Sequence, residues 1–175
     1  MTFADSIADE TLRELWTYWS AKRRPDRLPG RDDIDPAAIP ALLAFLVLTE
    51  FVEGGRRIRF RLVGGEMVRR WGEDFTGKHL DETMTGDYFR FIDGLFRDAM
   101  RTRAAVYCES AFRWDQGQMV GAKRLLLPLA HDGKTVDMVL VGQVFTWNHT
   151  VTESRKIVRE AEFTETRRVG ETERR

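Results

Sequence analysis

The chain holds a single cysteine, Cys108, in 175 residues. That excludes an internal disulfide and any zinc or iron–sulfur site built from several cysteines. Histidines number three, and no His-Glu-x-x-His zinc pair, glycine-rich nucleotide loop or nucleophile-elbow sequence occurs. Charge of one sign is lacking too. The 28 basic and 28 acidic residues cancel, so there is no electrostatic reason to expect nucleic acid or an anionic membrane as partner. No uncharged apolar run approaches the ~20 residues that span a bilayer, and residues 1–7 carry Asp5 without an apolar stretch, so no signal peptide is expected. With no carboxylate pair, metal cluster or base–nucleophile spacing to build on, the expectation is a cytoplasmic protein that is not an enzyme and has no metal site.

What is present suffices for one packed domain with appended segments: 42% hydrophobic and 11% aromatic residues. The pattern divides it into an N-terminal helix and connector (1–35), a core (36–147) and a charged C-terminal helix or tail (148–175). Leu12, Leu15, Trp16 and Trp19 fall on one stripe of a helix expected over 8–23. Asp35-Pro36 starts a short helix, because Asp caps free amides and Pro suits the first helical position. Strands are expected over 46–52 and 58–63, joined by Glu53-Gly54-Gly55-Arg56. In the second, Ile58, Phe60 and Leu62 alternate with Arg57, Arg59 and Arg61, as in an antiparallel sheet with one face on a core. A helix over 65–71, a connector over 72–83 and a strongly amphipathic helix over 87–101, with Thr85 as N-cap, come next. Three further strands follow, over 106–114, 123–130 and 136–145, with hairpin chemistry at Gln116-Gly117 and at residues 131–134. The last strand is apolar on both faces and therefore needs cover on both sides. For residues 153–169 a frayed helix or disordered tail is expected, a partner-dependent helix being the alternative.

One stretch carries more than local structure: Phe60-Arg61-Leu62-Val63-Gly64, followed by Asp74-Phe75-Thr76-Gly77. Together with residues 15–19, 28–36, Ile39-Pro40 and Arg124-Leu125-Leu126-Leu127-Pro128-Leu129, it resembles a family of bacterial single-domain PAS-like proteins. The resemblance implies an α+β fold: a five-stranded antiparallel sheet in the order 2-1-5-4-3, helices on one face and the N-terminal helix on the other. It further implies a sensing or docking role, and the expectation is a sensory or regulatory module that binds a small apolar ligand or a partner protein, with no attached effector because none fits in the remaining chain. The alternative is a ligand-free dimerisation or interaction scaffold. No particular cofactor is implied. Flavin photochemistry in PAS relatives needs a cysteine on the helix after the second strand, and Cys108 lies at the start of a later strand. Haem needs an axial ligand, and His79, the one histidine near the helices, sits in a polar turn.

In such a fold the pocket lies between the inner sheet face and the helices. Phe60, Leu62, Met67, Trp71, Phe75, Phe91, Leu95, Phe112, Trp114, Leu125, Leu127, Met138 and Leu140 are the expected lining, and the same residues serve equally well as a solid core. Leu12, Leu15, Trp16 and Trp19 are expected to cover the outward Val139, Val141 and Phe145, or to bridge to a second copy of the chain.

Overall fold

The structure is a computed structural model that describes residues 2–113, 120–146 and 162–171. The apolar stripe near the N-terminus folds as α2 (Glu10–Lys22), preceded by the single turn α1 (Phe3–Ser6). Asp9 caps α2, accepting a hydrogen bond from the Leu12 amide at 3.1 Å, one of the donors a helix start leaves open. Three short 3-10 turns carry the connector, the second beginning at Pro36 with Asp35 accepting from Ala37 N. The sheet begins with β1 (Leu46–Val52) and β2 (Arg57–Val63). The helices α3 (Gly65–Trp71), α4 (Leu80–Thr83) and α5 (Gly86–Thr102) come next, then β3 (Val106–Arg113), β4 (Val120–Leu129) and β5 (Met138–Phe145). The expected strand order holds, 2-1-5-4-3, and it is extended by a sixth strand, β6 (Glu162–Gly170), on the free edge of β3.

That sixth strand corrects the expected helix or loose tail. Residues 162–170 pair antiparallel with β3 from Val106↔Gly170 to Arg113↔Glu162. The local composition is too charged to announce a strand. What holds it is non-local: the open hydrogen-bonding edge of β3 and the ring of Phe163, stacked on Phe91 with centroids 4.7 Å apart. The Gln116-Gly117 turn, Trp114 and residues 148–161 of the tail lie outside the described residues.

A glycine fixes which side of the sheet faces which helices. A Cβ added to Gly142 in β5 would stand 2.5 Å from Leu15 Cδ2 and 2.8 Å from Leu12 Cδ2, so α2 presses directly on that backbone. Trp19 completes the contact, its indole N–H donating to the Pro128 carbonyl at 3.2 Å. Because side chains alternate along a strand, Met138 and Leu140 share the α2 side with Gly142, as do Leu127, the cross-strand partner of Leu140, and Leu125, the partner of Gly142. Val139, Val141 and Phe145 point the other way, toward α3, α4 and α5. The expected lining and the expected cover are therefore exchanged along β4 and β5. Since β5 is apolar on both faces, its alternation alone carried no information on which face was which.

Leu62 is also misplaced by the sequence pattern. The β1–β2 register slips between Leu48 and Thr49, pairing Leu48 with Leu62 but Thr49 with Phe60. This bulge absorbs Arg61 and reverses the alternation, which leaves Leu62 47% exposed while Phe60 stays buried. At the end of β2 the chain passes close under the 3-10 turn before β1: a Cβ on Gly64 would lie 2.5 Å from the carbonyl oxygens of both Leu43 and Ala44. Gly64→Ala is accordingly expected to destabilise the fold by roughly 1–3 kcal/mol, the usual range for overpacking. Its neighbour is the control. Gly65 meets nothing within 4 Å and opens α3, so Gly65→Ala should be neutral or add up to ~1 kcal/mol. Urea denaturation midpoints of the two single variants separate the cases.

Candidate functional site

The helical side of the sheet encloses two aromatic groups. In the first, Phe60 of β2 meets Trp71 at the end of α3 and Phe75 in the loop beyond it. Trp71 and Phe75 are stacked at 5.2 Å, and Phe60 lies 6.1 Å and 5.6 Å from them. The loop is pinned to β2 by two backbone bonds, Phe60 N to Lys78 O at 2.9 Å and Gly77 N to Phe60 O at 2.8 Å. In the second group Tyr88 of α5 contacts Phe91, Phe112 and Phe163. Helix α5 is held across the sheet by Arg97, which donates to the carbonyls of Gly55 and Arg56 in the β1–β2 turn.

Between these groups lies a cavity of about 50 Å³. Val47, Phe60, Leu126 and Val141 form its floor. Trp71, Phe75, Leu80, Met84, Ile92, Leu95 and Phe96 form its walls and roof, with Tyr88, Arg124 and Gln143 as the polar contribution. A buried water needs about 10–15 Å³ of such space, so the volume suits roughly four waters or a molecule of a few heavy atoms. It is far below the ~300–1,000 Å³ typical of sites for cofactor-sized ligands.

Of the expected lining residues, Phe60, Trp71, Phe75 and Leu95 do meet at this cavity. Met67, Phe91 and Phe112 are buried but form no part of its wall. Leu125, Leu127, Met138 and Leu140 lie on the opposite face of the sheet, Leu62 is turned outward, and Trp114 is outside the described residues. Of the expected outer group, Leu12, Leu15 and Trp19 do cover the far face. Trp16 is half-buried beside Phe3 at 6.1 Å, whereas Val139, Val141 and Phe145 face the helices, with Val141 in the cavity floor.

Sequence reasoning missed the apolar Val47, Leu80, Met84, Ile92, Phe96 and Leu126 as lining, and it missed every polar member, Tyr88, Arg124 and Gln143. Arg124 is only 5% exposed and its cross-strand neighbour Gln143 equally so. The Arg124 guanidinium donates to Ser110 Oγ at 2.6 Å and to Tyr88 OH at 3.1 Å, and lies 5.7 Å from the Phe112 ring centroid. A signal existed: Arg124 and Leu126 share a parity in β4. Once Leu126 is inside, Arg124 is inside with it.

Two titratable groups beside Arg124 stay uncharged at neutral pH. Burial pushes the Tyr88 phenol above its ordinary range, and burial pushes the Cys108 thiol, opposite Arg124 on β3, up to about 11. Among the described residues no carboxylate forms an ion pair with Arg124. The nearby Glu165 is engaged by Arg168 at 2.7 and 2.8 Å.

The sequence profile of the family described as PAS domain matches residues 7–143. No curated protein matches the chain at a significant level. Among solved structures the chain is similar to a LOV protein of Rhodobacter sphaeroides, at 14% identity and a TM-score of 0.47 over 66% of this chain and 70% of that one. It is also similar to the RsLOV d2 variant, at 17% identity and a TM-score of 0.46 over 67% and 69%.

Proposed function

We propose, for a chain that belongs to the PAS domain family and so is a module of the sensory or regulatory kind, that its signal is occupancy of the core cavity by a small, mostly apolar ligand. One observation carries the reading: the aromatic-walled space of about 50 Å³ left between the sheet and α3, α4 and α5. Its walls are aromatic and aliphatic side chains with a few convergent polar groups, the composition of small-ligand sites. Filling it would couple to α3 and α5, whose packing over β2 and β4 depends on the same side chains. No catalytic step is assigned to the chain. The output is a change in protein contact, working in the cytoplasm, with a signalling protein or a second copy of the chain as recipient. Nucleic acid has no part in the reading, nor has a membrane; among the described residues no helix is long and apolar enough to cross one.

A ligand-free interaction scaffold is the second reading. Its support is the exposure of two large apolar side chains, Leu62 at 47% and Leu43 at 38%, on the segments that Gly64 draws together.

Amide chemical-shift mapping of the full chain with small probes of a few heavy atoms distinguishes the two. The cavity reading expects shifts centred on Phe60, Trp71, Leu95 and Val141. A scaffold gives none there, and instead concentration-dependent shifts around Leu43 and Leu62.

A further inference from the structure

A guanidinium buried in an apolar interior is costly unless its charge is matched, and unlike a buried Lys or His it cannot shed its proton. Arg124 is in that position. It is 5% exposed, its two hydrogen-bond partners, Ser110 and Tyr88, are neutral hydroxyls, and among the described residues no carboxylate pairs with it. Elsewhere the chain pairs its arginines freely, as in Arg57 with Asp81 at 2.7 Å and Arg168 with Asp98 at 2.7 Å. Two hydrogen bonds also leave most of the five N–H donors of an arginine fork to spare. The same side chain borders the cavity, whose remaining wall is almost wholly apolar.

We infer that the cavity takes a short-chain monocarboxylate, its carboxylate against Arg124 and its alkyl tail among Trp71, Phe75 and Leu95. This rests on the cavity reading above and adds the charge of the ligand to it. The fork geometry of a guanidinium matches a carboxylate in two parallel bonds. The single cation suits a single negative charge, and a dianionic phosphate would be left half-matched among aromatic rings. Volume sets the length. Space for about four waters suits acids of roughly two to four carbons.

The test uses sodium propionate as probe against propionamide and 1-propanol as uncharged isosteres and inorganic phosphate as a second anion. Binding is read by amide shifts of the cavity residues in the full chain and in Arg124→Gln and Arg124→Lys. Propionate is expected to bind at least about tenfold more tightly than either isostere, the scale of hydrogen bonds to a charged group. That preference should vanish in Arg124→Gln and survive in part in Arg124→Lys. Equal binding of propionate, propionamide and propanol overturns the inference and leaves the cavity reading standing. Phosphate binding as tightly as propionate at the same amides overturns it in favour of an unselective anion site. If no probe shifts the cavity amides, the cavity reading falls as well. Should the Arg124 variants fail to fold, the isostere comparison on the unaltered chain decides alone.

Discussion

Replacing Trp19 by alanine is expected to cost the fold about 3–5 kcal/mol, or a fall of roughly 6–20 °C in melting temperature for a chain of this size. Trp19 has no exposed surface. It lies against the outer sheet face, its N–H donates to the Pro128 carbonyl at 3.2 Å, and the Arg23 guanidinium stands 5.0 Å from its ring centroid. Its removal opens a large cavity and orphans a buried carbonyl at the same time. Trp16, one turn earlier, is the internal comparison. It is half-buried, it touches Phe3, and among the described residues its buried N–H meets no acceptor. Trp16→Ala should therefore cost clearly less than Trp19→Ala, and Trp16→Phe, which gives up some ring surface but also discards the unsatisfied donor, should cost less again. Thermal melting of the three single variants beside the parent reads the difference. Equal losses at Trp16 and Trp19 would mean that α2 does not dock through the Trp19 face.

Ending the chain after residue 161 is the second change with a large expected effect. It removes the whole ladder of β6 on β3, the stacking of Phe163 on Phe91 and its tilted contact with Tyr88. Also lost are the ion pairs Arg168–Asp98 at 2.7 Å and Arg23–Glu171 at 2.8 Å. These pairs, still partly open to water, contribute little. Burial of Phe163 and the neighbouring apolar surface is the larger part, for a total of at least ~2 kcal/mol. In melting temperature that is about 4–8 °C. Phe163→Ala should reproduce a good part of the loss, and Thr164→Ala, exposed on the same strand, almost none. An unchanged melting curve for the truncated chain would return residues 162–170 to the loose tail that their composition suggests.

The two results bear on the module's output. Helix α2 covers one face of the sheet and β6 extends its edge, so the segments flanking the core are packed onto the elements that build the cavity. Glu171, at the end of β6, bonds Arg23 at the end of α2, which ties the two flanking segments to each other. A ligand that shifts α5 would be felt at β6 through Phe91 and Phe163.

Most of the element order was legible in the sequence, because it is written in local chemistry. Alternation in residues 57–63, the Gly54-Gly55 turn and the three-and-four spacing from Tyr88 to Ala99 each act within one strand or helix. The observed β1 and α3 have the expected bounds, Leu46–Val52 and Gly65–Trp71. The family resemblance supplied the strand order, and the order holds. Only the smaller part of the cavity lining, Phe60, Trp71, Phe75 and Leu95, was legible for the same reason: each lies on the apolar side of an element whose sides are chemically unequal.

The tertiary structure alone decided the rest. A strand apolar on both faces has no preferred side until a partner presses on it, and Gly142 beneath Leu12 and Leu15 is what sets the parity of β5 and, through the ladder, of β4. That one contact carries Leu125, Leu127, Met138 and Leu140 to the α2 face and draws Arg124 and Gln143 into the interior. A single extra residue in β2 turns Leu62 out to solvent. Residues 162–170 become a strand because β3 offers an unpaired edge some fifty residues away in sequence, a fact no local composition records. Local chemistry decides most of the elements, since their energetics are short-ranged, and β6 is the exception. Which faces meet, and whether a buried arginine is left without a counter-charge, depends on packing between segments distant in the chain.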